Sequence, residues 1–556
     1  VLSGRLGATL LRITPRRRVS IFSKGGWRWL GLVCLIALPT LVPIIAVFGG
    51  AFNADPELLQ HLQQYVLPRV ALNTFLLVVG VTVLAGSLGT ALAWLIAVYD
   101  FPGRRYLSWA LLLPMAVPGY VMAFVFIGLF EFAGPAQTLL REIFGSSLRV
   151  PSIRSTGGVI LVMSLTLYPY VYLIARNAFL TQGRQALEVG LSLGLSRRRA
   201  FLRVALPLAR PWIAGGVLLV AMETLADFGT VAAFNYDTFT TAIYQAWFSL
   251  FSIGSAMQLA SLLIILALLL LLTEQALRGR ARYTSKASTT PPRIRLRGAH
   301  ALMASIGASS VFALAFVLPF TQLLIWAVQS ISIELNVSYI QATLNSLMLA
   351  AGAAGLITAM GLLLSYTRRR RLDLAGRAMA RLATIGYALP GPVLAIGIFV
   401  PLASLSNTLT AWLPQGSGVI TLQTTLLTLM LAYAARFLAV GHTPVQANMQ
   451  RLTPTLDDAA TGMGVTGWRL LTRLHLPLLR GGLFTAATLV FVDVMKEMPI
   501  TLMTRPYGWD TLAVQIFELT AEGQWQRAAL PGVVLVAAGL VPVILLTRRG
   551  EKSGAA

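Results

Sequence analysis

Glu188–Pro207 reads EVGLSLGLSRRRAFLRVALP, and Asp458–Pro477 reads DAATGMGVTGWRLLTRLHLP. At a constant offset of 270, Glu188 meets Asp458, Gly194 meets Gly464, Arg203 meets Arg473 and Pro207 meets Pro477. Leu72-Asn73-Thr74 pairs with Leu344-Asn345-Ser346, and Val117-Pro118-Gly119 pairs with Leu389-Pro390-Gly391, both at offset 272. An ordinary basic loop explains either copy alone. It does not explain the recurrence, which is the mark of an internal duplication.

Apolar runs flank both copies. The chain has 556 residues, 56% hydrophobic and 12% charged, with a mean hydropathy of +0.74. A soluble chain of this length carries far more charge. Runs near the ~20 residues needed to cross a bilayer recur from end to end. They predict twelve helices, at about 28–50, 70–98, 107–131, 157–180, 212–234, 255–277, 300–330, 342–366, 379–403, 419–440, 482–503 and 527–547. Period-2 alternation is absent and the runs are too long for a barrel, so strands are not expected. The fold class is an all-α polytopic membrane protein. Six spans per half make the halves parallel repeats about an axis along the membrane normal. The expected organisation is a basic N-terminal segment (1–28), one repeat (29–278), a Ser/Thr/Pro/Arg-rich linker (279–299), a second repeat (300–547) and a short tail (548–556).

The net charge of +24 suggests nucleic acid at first sight, but the arginines sit in short clusters between apolar spans. With the N-terminus in the cytoplasm, 37 of the 44 Lys and Arg residues fall on the cytoplasmic side and 6 outside. The positive-inside rule therefore puts both termini in the cytoplasm, with the basic face on anionic lipid and no role for nucleic acid. The N-terminal RLGATLLRITPRRRVSIFSKGGWRW precedes a long run without a small-residue cleavage site, which fits a retained signal anchor. The sequence starts at Val1 rather than Met, so the natural start is expected to be missing or processed. Cys34 is the single cysteine, so the chain can form no internal disulfide.

Within the duplicated stretch, residues 185–193 suit a short helix. Gly194 and Gly464 suit its left-handed end. Ser196 and Thr466 are N-cap candidates for a second helix, 197–206 in the first copy, which Pro207 is expected to close. Each copy becomes a helix–Gly–helix element facing the cytoplasm.

This pattern resembles the "EAA" loop of binding-protein-dependent ABC importer permeases. E-V-G and D-A-A stand in place of E-A-A, with the Gly and the Leu-Pro end kept in both copies. Further on, ETLADFGTVAAFNYDTFTTAIYQAWF (Glu223–Phe248) and KEMPITLMTRPYGWDTLAVQIFEL (Lys496–Leu519) resemble the fused permeases of ferric-iron ABC importers. The resemblance covers almost the whole chain. It implies the type I importer permease fold in a bacterial inner membrane. It also implies two copies of an ABC ATPase coupled at 185–207 and 455–477, through Glu188, Gly194, Arg203, Pro207, Asp458, Gly464, Arg473 and Pro477. A soluble binding protein would deliver ferric iron on the outer face. Related fused permeases carry thiamine, and another small solute stays open. None of the four lysines closes a G-x-x-x-x-G-K-[ST] phosphate cradle. ATP and Mg belong to the partner ATPase, and this chain is expected to bind no cofactor and to catalyse no reaction.

Glu223, Asp227, Asp493, Lys496 and Glu497 fall inside the fifth and eleventh spans. Offset 270 pairs Glu223 with Asp493 and Asp227 with Glu497. The i,i+4 spacing predicts each acidic pair on one helical face. A mid-bilayer charge costs roughly 2.5–3.5 kcal/mol, so the five should face the bundle interior. One reading is a carboxylate-lined path or gate, offering a hard cation transient contacts at Glu223, Asp227, Asp493 and Glu497 without a fixed metal site. The other is an ion-pair cluster in which Lys496 neutralises the acids and fastens the halves. A gradient-driven secondary transporter using these carboxylates is the alternative from another class. Tyr168, Tyr170 and Tyr172 read as packing residues. Asn73 and Asn345 read as interhelical hydrogen bonders. His61, His300, His442 and His475 read as surface or interface residues without metal-ligand spacing. Outer-loop acids, among them Asp55, Glu57, Glu131, Asp237, Glu334, Asp510, Glu518 and Glu522, read as a solvated rim.

Overall fold

The computed structural model describes residues 26–53, 60, 62–145, 151–278, 293–370, 374–412 and 419–553. Most of the N-terminal segment, linker residues 279–292, the last three residues, and Asp55, Glu57 and His61 lie outside the described residues.

The protein is an all-α bundle. Ten helices among the described residues are long and apolar enough to cross a membrane, eleven if one bent pair counts as a single span. The ten answer to the first ten expected runs, the bent pair to the eleventh and the last helix to the twelfth, while several boundaries shift at prolines and helix breaks. The run expected at 107–131 is Arg104–Ala110, a 3-10 turn at Leu113–Ala116, and Gly119–Phe130. The run expected at 379–403 is Leu374–Thr384, a 3-10 turn at Ile385–Ala388, and Gly391–Ala411. Pro114, Pro118 and Pro390 carry no backbone N–H, so an uninterrupted helix cannot pass through them at full strength. The last helix runs Trp525–Ser553.

Matching elements recur along the chain. Leu67–Val98 answers to Val337–Arg370, and both anchor the outer segments of their own half. Asn73 Nδ2 donates to the Asp237 carbonyl at 3.0 Å, and Asn345 Nδ2 to the Asp510 carbonyl at 3.1 Å. The next residues, Thr74 and Ser346, accept from Phe239 N (3.3 Å) and Leu512 N (2.9 Å). These are the interhelical bonds expected of paired polar residues in an apolar bundle. The first helix, Gly26–Gly50, crosses over to pack against Leu374–Thr384 and Gly391–Ala411 of the second half. There Thr40 donates to the Ala383 carbonyl at 3.1 Å.

Two strands of two residues each, Tyr99–Asp100 and Ile294–Arg295, pair in parallel. Strands were not expected. Four residues carry no period-2 signal, and the pairing joins segments some 190 residues apart in sequence.

The duplicated loops have one local design. Arg184–Ser192 and Pro454–Gly462 are helical, and Gly194 and Gly464 both have φ +79°. A side chain at that angle pushes its Cβ against the backbone, so glycine is required. Ser196 and Thr466 hold the N-cap positions, but neither side chain caps. Pro207 does not close the second helix. The rod runs on from Arg197 to Ala226. A five-residue π-turn, Phe201–Ala205 or Leu471–His475, precedes each Leu-Pro. The widened turn lets the proline ring clear the preceding carbonyls without breaking the rod. In the second copy the break comes later: Gly467–Leu478 and Arg480–Met495 meet at 78° around Leu479.

Candidate translocation site

The fifth and eleventh spans both stop inside the bundle. Leu206–Ala226 ends at Asp227, whose ψ of 137° leaves the helix. Arg480–Met495 ends at Lys496. The carboxylate beyond each break caps a short helix that follows. Asp227 accepts from Thr230 Oγ1 at 2.9 Å and from Val231 N at 3.1 Å, at the start of Gly229–Ala233. Glu497 accepts from Ile500 N at 2.9 Å, at the start of Pro499–Thr504. The expectation of two acids on one helical face is therefore corrected. The i,i+4 argument needs a continuous helix, and each second acid is the residue that satisfies the N–H groups exposed by the break.

Glycines at the repeat positions 119 and 391 let neighbouring helices reach these breaks. A Cβ on Gly119 would lie 2.6 Å from Thr230 Oγ1, and one on Gly391 2.8 Å from Pro499 Cγ.

Glu223, Asp227, Asp493 and Lys496 line one cavity of about 270 Å³ together with Tyr170. Glu497 does not line it. It is 8% exposed, and its second oxygen lies 3.8 Å from Arg436 Nε. Among the described residues, no group of three or more His, Cys, Asp and Glu is arranged to hold a metal ion.

The halves meet beside the cavity at two places, Glu223 and Lys496. Tyr387 Oη donates to Glu223 Oε1 at 2.8 Å. Lys496 Nζ donates to the Met115 carbonyl at 3.1 Å, and Tyr120 Oη donates to the Lys496 carbonyl at 3.3 Å. Sequence reading missed Tyr387 and Arg436. Tyr387 stands opposite Met115 at offset 272, so residue identity gave no repeat signal. Arg436 lies within the tenth span expected at 419–440, where the sequence reading gives it no partner. The helix runs Leu426–Arg451 and buries Arg436, which donates to the Leu389 carbonyl.

Tyr168 and Tyr172 are buried and donate to the Leu111 (3.0 Å) and Ser108 (2.9 Å) carbonyls. Tyr170, between them, faces the cavity. His442 and His475 are buried, not surface residues. His442 contacts Ser365 at 3.0 Å, and His475 contacts Asp457 at 3.0 Å. Several rim acids are held in ion pairs: Asp237 with Arg69, Glu131 with Arg154, Glu334 with Arg527, and Asp510 and Glu518 with Arg505.

The coupling candidates Glu188, Gly194, Arg203, Asp458, Gly464, Arg473 and Pro477 are exposed, and Pro207 is half-buried. Beside the two left-handed glycines, Leu193 and Met463 are 73% and 76% exposed. Each loop thus presents an apolar tip within a polar surface.

The family model described as the inner membrane component of binding-protein-dependent transport systems matches residues 89–277. Over 219 residues the chain is 31% identical to the sulfate transport system permease protein CysW of Escherichia coli, covering 37% of this chain and 70% of that relative. The chain belongs to this permease family. A probable molybdenum ABC transporter permease protein of Haloferax volcanii is 30% identical over 228 residues, 41% of this chain and 81% of that relative. The Fe(3+)-transport system permease protein FbpB 2 of Haemophilus influenzae is 28% identical over 534 residues, 94% of this chain and 99% of that relative. The permease is a fused, two-repeat, multi-pass membrane protein and the transport subunit of an ABC importer. The gradient-driven alternative falls with that membership.

Proposed function

We propose that this permease passes ferric iron from a soluble extracytoplasmic binding protein to the cytoplasm by alternating access. The cavity between the broken spans carries the reading. Three carboxylates and one ammonium line it, a surplus that suits a hard cation and repels an oxyanion such as sulfate. The full-length likeness to an iron permease supports the same cargo. Both halves, 29–278 and 300–547, act as permease units, with the linker 279–299, the basic segment 1–28 and the tail 548–556 in the cytoplasm. The bias of Lys and Arg supports that orientation, even with Arg436 removed from the count.

Two copies of a separate ATPase, holding ATP and Mg, engage the exposed loops 185–207 and 455–477. Their exposed apolar tips, Leu193 and Met463, suit insertion into a groove. ATP drives the halves between states only through its differential affinity for them. Gly194 and Gly464 keep each loop in the shape the motor holds.

The test is uptake by proteoliposomes holding the permease with its ATPase and binding protein. Glu223→Gln combined with Asp493→Asn is expected to lower ferric-iron uptake at least about tenfold while the complex still assembles. Undiminished iron uptake removes the carboxylates from the path. Thiamine or oxyanion uptake in place of iron overturns the cargo.

A further inference from the structure

The two crossing contacts occupy equivalent places in the repeats. Tyr387 and Met115 stand at offset 272, each on the 3-10 turn of its half. Glu223 and Lys496 sit on the partner broken spans, near the positions that offset 270 relates. The turn of one half therefore grips the broken span of the other twice, with different chemistry each time. One contact is a phenol on a carboxylate; the other is an ammonium on a carbonyl.

Position 496 is what breaks the symmetry. Its repeat partner is Ala226, so the first half supplies no cation at the matching place. Glu223 is occupied by Tyr387, and Asp227 by Thr230 and Val231. Among the described residues, Asp493 accepts no hydrogen bond. Lys496 lines the same cavity three residues along, with its Nζ on the Met115 carbonyl rather than in a direct ion pair with Asp493. A carboxylate inside a membrane-spanning bundle is stabilised by an opposite charge nearby. Among the residues lining the cavity the one cation is Lys496, tethered three positions along the same chain.

We propose that the Lys496 ammonium is a resident stand-in for the cargo: it compensates the cavity carboxylates when no cation is present, and an arriving cation displaces it. This rests on the cation reading above. Displacement has two consequences. A weakly charged ion does not outcompete a tethered ammonium, so Lys496 selects for highly charged cargo. Its departure also releases the Met115 carbonyl, loosening one of the two grips across the midline. Lys496 thereby ties occupancy to the freedom of the halves to move.

Terbium(III), a hard trivalent ion whose luminescence is sensitised by nearby tyrosine, serves as the probe. Tyr170 lines the cavity, and Tyr387 bonds Glu223 in its wall. Binding is measured on the full-length permease in lipid nanodiscs, without ATPase or binding protein. Lys496→Met is expected to tighten terbium binding at least about tenfold. Lys496→Gln, a second neutral replacement that keeps a polar head, is expected to do the same. Lys496→Arg, which keeps the charge, is expected to bind like the parent. Adding Asp493→Asn to Lys496→Met is expected to reverse the gain. No gain in either neutral variant overturns the proposal. So does a gain that survives Asp493→Asn, because the lysine would then act only as a brace. If the pattern holds while the parent imports no ferric iron, the stand-in survives and the cargo assignment fails.

Discussion

The two duplicated loops share a backbone and differ in what fastens them. Under the first, Trp94 packs its ring 5.1 Å from Phe179 and 4.6 Å from Phe201, above buried Ala97, Leu187 and Ala205. Under the second, the equivalent positions are Tyr366, Met449, Leu471, Arg369, Asp457 and His475. Arg369 Nε bonds Asp457 at 2.7 Å, and its other nitrogens reach the Met449, Leu452 and Thr453 carbonyls at 2.9–3.1 Å. Asp457 also meets His475 at 3.0 Å, and Tyr366 donates to the Gly467 carbonyl at 2.6 Å. The first loop is anchored by apolar burial; the second adds a charged clamp to an apolar cluster of its own around Tyr366, Met449 and Leu471. The same loop shape tolerates both, because helix, left-handed glycine and π-turn set the shape while the contacts beneath only anchor it. The anchors respond to different conditions: burial is indifferent to salt and pH, and the clamp is not.

The largest effect expected is from Trp94→Ala. Removing the ring forfeits about 3 kcal/mol of packing under the first loop. Amide exchange across 184–196 should accelerate by about a hundredfold, with 454–466 unchanged. Exchange rising equally in both loops would show that they open as one unit, and the contrast between them would lose its meaning.

Arg369→Met comes next. It strips a partly buried carboxylate of its partner and frees three carbonyls, for a loss of about 2 kcal/mol. Exchange should rise across 454–466 only, and high salt should loosen this loop in the parent but not the first loop. A parent whose two loops respond alike to salt would break the distinction.

Acid gives the smallest effect. Burial by itself pushes the Asp457 carboxyl up; the Arg369 hydrogen bond and the charges of His475 and Arg369 outweigh it and hold the carboxyl below its usual range. A group lowered in the folded state stabilises above its unfolded value and loses that contribution as pH falls through the folded one. The clamp should therefore hold near neutrality and weaken below about pH 4. Leu187, at the matching place, has nothing to titrate. Exchange corrected for its intrinsic pH dependence should show the second loop alone loosening in acid.

Much of this was legible in the residues. The offsets of 270 and 272 located both loops, both left-handed glycines, the Asn73 and Asn345 bonds, and the two acidic clusters. These features depend on local backbone demands or on polar groups with no water to turn to, and both restrict which residue types are allowed. The cavity was less legible. Asp227 and Glu497 read as facing acids because helical periodicity was extended through a break. Tyr387, Arg436 and the Arg369–Asp457–His475 clamp gave no signal, because each joins segments far apart in the chain.

The sequence by itself determined a duplicated, membrane-spanning chain with two matching loops and charge within its apolar spans. Apolar run length, charge placement and glycine spacing are local quantities, and the bilayer turns them directly into structure. Only the tertiary structure decided which charges meet. Glu223, Asp493 and Lys496 line one cavity while Glu497 is drawn aside to Arg436, and charge and hydrogen-bond pairings depend on distances in space that the order of residues does not record.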